Sequence, residues 1–152
     1  MDGNNEDTGE LRREIKVLVV DEQPTMRLGV SYAIEAEEGM LVVGEAGDAQ
    51  EALRLVAEVR PDVVVMDFVL GGEGGGAELL RSLKSRPEAP GVVVHTAHNS
   101  VEDVFTSRLS GADSFVYKGE VTQKLVEAVK ETHAGRRVWL LGEGRRSFWG
   151  AP

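Results

Sequence analysis

Apolar residues fall along this chain in two alternating rhythms. Continuous or nearly continuous apolar runs occur in "IKVLVV" (15–20), "MLVVGEA" (40–46), "DVVVM" (62–66), "GVVVH" (91–95) and "SFVY" (114–117). Runs of this kind, lacking a strict period of two, predict strands buried on both faces, as in a parallel sheet. Between them the apolar positions recur at helical spacing. In "MRLGVSYAIEA" this puts Met26, Val30, Ala33 and Ile34 on one face. Asp48 and Glu51 have capping-box spacing and open a helix that turns Ala49, Ala52, Leu53 and Val56 inward. A glycine-rich loop precedes the short helix "AELLRSLKS". Ser100 is placed to cap a helix that buries Val104, Phe105 and Leu109, and "TQKLVEAVKETH" turns Leu125, Val126 and Val129 inward. Five strand–helix pairs in alternation imply one parallel sheet with helices on both faces, because each crossover is right-handed. The chain has no internal repeat.

The 152 residues suit one domain with tails: a polar, disordered segment at 1–14, the folded unit at 15–134, and a C-terminal tail or truncated linker at 135–152. A hydrophobic share of 41% is enough to furnish a core. The absence of cysteine excludes disulfides and thiolate metal sites and is compatible with a reducing cytoplasm. No apolar run approaches the length of a membrane span, and "MDGNNEDTGE" lacks the apolar core of a signal peptide. A net charge of −9 argues against direct nucleic-acid binding by the bulk of the surface. The expectation is a soluble cytoplasmic protein without membrane or nucleic-acid contacts of its own.

The polar residues at the strand ends change the picture most. Asp21 and Glu22 follow the first strand, Asp67 the third, Thr96 the fourth and Lys118 the fifth. In an open parallel sheet the carboxyl ends of the strands form the ligand crevice, so these five side chains are expected to converge. Three are carboxylates, which repel one another unless a cation joins them. With oxygen ligands only, a hard divalent ion such as Mg²⁺ is the natural choice.

Taken together, "VLVVDEQPTMR", "PDVVVMD", "VVVHTA" and "GADSFVYK" resemble the receiver domain of bacterial two-component response regulators, over about residues 15–134. The segments "VVGEAGDAQEAL" and "GRRV" resemble the subfamily whose receivers precede a helix-turn-helix output domain, which is absent here. The resemblance implies a flavodoxin-like, doubly wound α/β fold with a five-stranded sheet of order 2-1-3-4-5. It also implies a switch in signal transduction and transcription regulation rather than an enzyme, with a sensor histidine kinase as partner. Carried over residue by residue, Asp67 matches the phosphoacceptor. Asp21 (through water), Glu22, Asp67 and the backbone carbonyl of Val69 match the Mg²⁺ ligands. Lys118 and Thr96 match the groups that meet the phosphoryl oxygens, and Phe115 matches the aromatic switch.

Two departures stand out. The second acidic position is usually aspartate, and Glu22 carries its carboxylate one methylene further out. The proline expected after the phosphoacceptor is replaced by "GGEGGG", a loop expected to be unusually flexible. That loop lacks the Gly-Lys-Ser/Thr of a nucleotide-binding loop. His95, His98 and His133 lack metal-ligand spacing and read as structural or surface residues, although His98 sits where the family tunes dephosphorylation. An alternative to the phosphorylated switch is a phosphorylation-independent interaction module with the same fold. An aspartate-nucleophile phosphatase ranks last, because "DFV" follows Asp67 where an Asp-x-Asp motif would be needed. In the tail, Trp139, Leu140, Leu141, Phe148 and Trp149 lie among Arg136, Arg137, Arg145 and Arg146. Trp139 and Leu140 are expected to dock on the domain or on a second copy, in a homodimer whose contact includes the last helix or the tail.

Overall fold

The valine-rich runs form strands β1 (Ile15–Val20), β2 (Met40–Ala46), β3 (Val63–Met66), β4 (Gly91–Thr96) and β5 (Ser114–Tyr117). These come from a computed structural model that describes residues 13–71 and 75–142. The helices are α1 (Pro24–Glu35), α2 (Ala49–Val59), α3 (Gly75–Lys84), α4 (Val101–Ser110) and α5 (Thr122–His133). Every strand pairs in parallel with its neighbours, in the order β2-β1-β3-β4-β5. The doubly wound α/β fold is thus as expected, with one addition. Trp139–Leu140 forms a sixth strand, β6, parallel to β5 at the sheet edge. Two residues are too few to carry a strand signal. The edge of β5 supplies the order, through Phe115 N–H donating to the Val138 carbonyl at 2.8 Å.

Alternate residues of each strand enter two separate cores. Val17, Val19, Val63, Val65, Val93 and Val116 meet Val30 and Ile34 of α1 and Leu125, Val126 and Val129 of α5. Leu18, Val20, Val64, Met66, Val92, Val94 and Phe115 meet Ala52 and Val56 of α2, Leu79, Leu80 and Leu83 of α3, and Val104 of α4. Burying each such side chain contributes roughly 1.5–3 kcal/mol, which makes a sheet covered on both sides the stable solution.

Local signals set the helix ends. Pro24 occupies the first turn of α1. Asp48 caps α2 by accepting from Glu51 N–H at 2.8 Å, but the Glu51 carboxylate reaches Gly47 N–H rather than the cap residue. Ser100 and Asp103 close a full capping box on α4, and Gly111, at φ 114°, ends it. At the start of α3, a Cβ on Gly76 would lie 1.7 Å from the Phe68 carbonyl oxygen, so the helix can sit this close to the loop after β3 only with glycine there. The flexibility expected of "GGEGGG" falls largely on residues 72–74, outside the described residues.

One expectation about packing is corrected. Val104 of α4 is buried, but Phe105 is 50% and Leu109 71% exposed. The helix instead turns Ser107 and Ser110 inward. The space that larger side chains would fill is occupied by Phe115 and Leu141, with Trp139 packed against them. Ser107 remains satisfied there, its hydroxyl donating to the Asp103 carbonyl at 3.0 Å.

Candidate functional site

Strand pairing alone brings the strand-end residues together. Asp67 N–H donates to the Val20 carbonyl and Asp21 N–H to the Ala46 carbonyl, both at 3.0 Å, so the two aspartates leave the sheet side by side. Lys118 N–H donates to the Thr96 carbonyl at 2.8 Å, fixing the far wall of the same crevice. Asp21 and Asp67 are 3% and 8% exposed. Two carboxylates that close and that buried need a counter-charge. It is Lys118, whose Nζ lies 2.9 Å from Asp21 Oδ2 and 2.9 Å from Asp67 Oδ2.

The remaining oxygens are held locally. Asp21 Oδ1 accepts from Gln23 N–H at 2.9 Å and Asp67 Oδ1 from Val69 N–H at 3.1 Å, each two residues on. These short Asx turns fix the carboxylates where the strands end. Burial pushes the Lys118 pKa down, but hydrogen bonds and charge from Asp67 and Asp21 outweigh it and the pKa is raised. The two aspartates thus favour the charged form of Lys118.

Glu22 stands apart from this trio. It is exposed, and its Oε1 accepts from Gly71 N–H at 3.0 Å, tying the start of the glycine-rich loop to the end of β1. Among the described residues no three His, Cys, Asp or Glu side chains are grouped to hold a metal ion. The donors nevertheless suit a hard cation in kind. Two buried carboxylates against one ammonium leave one net negative charge, with Glu22 at the rim and a partly exposed Val69 beside Asp67.

Thr96 is buried beside this cluster, its Oγ1 accepting from His98 N–H at 3.2 Å. Phe115 is fully buried and stacks on Trp139, ring centroids 6.4 Å apart. Two residues with no role in the sequence reading belong to the neighbourhood. Arg27 Nη1 donates to the Asp21 carbonyl at 2.7 Å and its Nε lies 3.4 Å from Glu45, bracing the loop from α1. His95 is a buried histidine, as expected, but it feels the cluster. Burial lowers its pKa from 6.5 to about 4, the Lys118 charge acts in the same direction, and Asp67 opposes them. Only the fold brings Arg27 between Asp21 and Glu45 and His95 within reach of Asp67.

A groove of about 930 Å³ lies at the opposite end of the sheet, between Arg60, Pro61, Arg86, Pro90 and His133. It contains none of the clustered residues. Convergent charge rather than volume marks the site, as the carboxyl-edge rule for parallel sheets requires. Among the described residues no helix is long and apolar enough to cross a membrane.

Comparisons with known proteins show the family. The family model described as "Response regulator receiver domain" matches residues 17–130. The chain is 38% identical over 125 residues to "Response regulator GacA" of Pseudomonas aeruginosa, covering 81% of this chain and 57% of that protein. It is 38% identical over 122 residues to "DNA-binding transcriptional activator DevR/DosR" of Mycobacterium tuberculosis, covering 80% and 56%. The chain thus spans just over half the length of these relatives. Among solved structures, the signal receiver domain of the putative response regulator NarL from Mycobacterium tuberculosis superposes with a TM-score of 0.77. Its identity is 31%, over 82% of this chain and 99% of that one. A two-component response regulator of the LuxR family from Aurantimonas gives a TM-score of 0.77 at 36% identity, over 82% and 89%. The chain belongs to the response regulator receiver domain family.

Proposed function

We propose that this domain is a phosphorylation-controlled switch in which Asp67 accepts a phosphoryl group from a phosphohistidine of a sensor histidine kinase. The observation that carries the reading is the Lys118 ammonium, 2.9 Å from both buried carboxylates, with Asp67 at the carboxyl end of β3. A carboxylate oxygen of Asp67 forms the new bond to phosphorus while the bond from phosphorus to the histidine nitrogen breaks. Such transfer depends mainly on positioning and charge neutralisation. Lys118 neutralises the phosphoryl oxygens, and the Thr96 hydroxyl donates to one of them. Mg²⁺, when bound, would supply further neutralisation of the phosphoryl charge. Asp21 (through water), Glu22, Asp67 and the Val69 carbonyl are the residues to hold it.

The name of the longer relative DevR/DosR, a DNA-binding transcriptional activator, supports a role in regulating transcription with this domain as the input; action in the cytoplasm and a homodimer as an output form belong to the same proposal. The test is a mass measurement after treatment with acetyl phosphate and Mg²⁺. One phosphoryl group should appear, and Asp67→Asn should abolish it. Stable incorporation into the Asp67→Asn protein would sink the assignment. A second reading, an interaction module that works without phosphorylation, is favoured by the engagement of Glu22 with Gly71 N–H. It requires that wild-type protein gain no mass.

A further inference from the structure

The segment that follows α5 is fastened across both loops of the crevice. Val138 N–H donates to Ser114 Oγ at 2.9 Å, and Leu141 is 1% exposed in the core beneath α4. Beyond β6, the Leu141 carbonyl accepts from Asn99 Nδ2 at 2.8 Å, and Gly142 N–H donates to Glu120 Oε2 at 3.1 Å. Asn99 lies in the loop that begins at Thr96, and Glu120 lies two residues beyond Lys118. Gly142 has φ 91°, and a Cβ there would lie 2.9 Å from the Tyr117 ring and 3.1 Å from Asn99 Nδ2. The fastening therefore depends on glycine at that position.

We propose that residues 138–142 form a strap whose docking opposes phosphoryl occupation of Asp67, with Asn99 as the positioning residue that couples the two. The proposal rests on the receiver reading above and adds a regulatory element to it. In the sheet, β4 lies between β3, which carries Asp67, and β5, with β6 on the far side of β5. For Thr96 to meet a phosphoryl group on Asp67, its loop must move towards β3 and hence away from β6. A hydrogen bond of 2.8 Å from Asn99 to Leu141 does not survive such a shift, because these bonds weaken steeply beyond about 3.2 Å. Phe115 is already fully buried against Trp139, so no inward swing of that ring is left to accommodate the change. The strap takes it up instead. Because coupling between sites is reciprocal, loosening the strap must strengthen binding at Asp67.

The test uses the full chain with Trp149→Phe, so that Trp139 is the sole indole. Beryllofluoride with Mg²⁺ serves as the phosphoryl mimic, and its bound fluorine resonance reports occupation independently of the strap. At saturation, acrylamide quenching of Trp139 should rise. Asn99→Asp, which removes the amide donor while keeping the shape, should bind the mimic roughly fivefold more tightly, the equivalent of one hydrogen bond. Gly142→Ala should do the same from the strap's own side, and Asn99→Gln should fall nearer to wild type. A bound resonance with unchanged Trp139 quenching, or equal or weaker binding by both loosened variants, would overturn the strap and leave the receiver reading intact. No bound resonance in any variant would overturn both.

Discussion

The two ends of this sheet use the same residue types for different ends. At the amino edge, Asp62 Oδ2 accepts from Lys16 N–H at 2.8 Å. Asp113 Oδ2 accepts from Val92 N–H at 2.8 Å and from Lys84 Nζ at 2.7 Å. Each carboxylate there reaches the backbone of a strand distant in sequence, and Lys84 serves one aspartate plus the Pro90 carbonyl. At the carboxyl edge, Asp21 and Asp67 bind only backbone two residues on and share one ammonium between them. The first arrangement stitches elements together, its two carboxylates held on separate backbone N–H groups of distant strands. The second holds an excess negative charge at the mouth of a crevice. A carboxylate tied to a distant strand contributes stability; one held at a strand end by its own short turn and a shared ammonium is positioned for chemistry.

Exchange of aspartate for asparagine should separate the ends most sharply. Asp67→Asn should lose all phosphoryl incorporation from acetyl phosphate, whereas Asp113→Asn should keep it within about twofold, since no reacting group is touched. Mass spectrometry at matched times decides the matter; equal loss in both would erase the distinction. Removing the cations should come next in size. Lys118→Met leaves two buried carboxylates without their counter-charge and should cost about 3 kcal/mol in urea unfolding, with Mg²⁺ restoring more stability than it gives wild type. Lys84→Met, at a partly exposed pair, should cost only about 1 kcal/mol, with no such restoration. An identical Mg²⁺ increment in wild type and both variants would show that Lys118 is not the internal counter-charge.

Acid should act through His95 at the carboxyl end. Its folded pKa is lowered to about 4 from 6.5, so between those values the unfolded chain binds the extra proton. The corresponding stability is therefore complete above about pH 6.5 and lost as pH falls towards 4, by about 3 kcal/mol at most. Urea midpoints measured across that range should fall in wild type and flatten in His95→Leu; parallel curves would refute the assignment. A smaller effect than that of acid belongs to the stitching end, where Asp113→Ala should lower stability by about 2 kcal/mol at neutral pH through the orphaned Val92 N–H and Lys84. Thermal or urea unfolding checks it, and a cost below about 0.5 kcal/mol would mean that solvent replaces those bonds freely.

Much of the fold was legible because its signals are local. Strand runs such as "IKVLVV" and "SFVY" are too apolar to lie anywhere but between two layers, and Ser100 announces a helix start. The alternation of strands and helices then implies a parallel sheet, and such a sheet sends Asp21, Asp67, Thr96 and Lys118 to a single edge. A helix with two competing apolar stripes was not legible in the same way. On α4 the stripe Val101, Phe105 and Leu109 is as regular as any buried face, yet all three are exposed. The choice depended on what already filled the space below.

The sequence by itself determined the strands, most helix ends and the convergence of the strand-end residues, because each follows from short-range periodicity and chain connectivity; the order of the first five strands followed from the resemblance to receiver domains. Only the tertiary structure decided who satisfies whom. Lys118 became the cation between Asp21 and Asp67, Glu22 turned to Gly71 N–H, Arg27 and His95 joined the neighbourhood, and Trp139 found Phe115 at the edge of β5. Those choices depend on distances between groups far apart in the chain. Electrostatic and packing energies at such distances are set by the folded geometry, to which a linear pattern of residue types is blind.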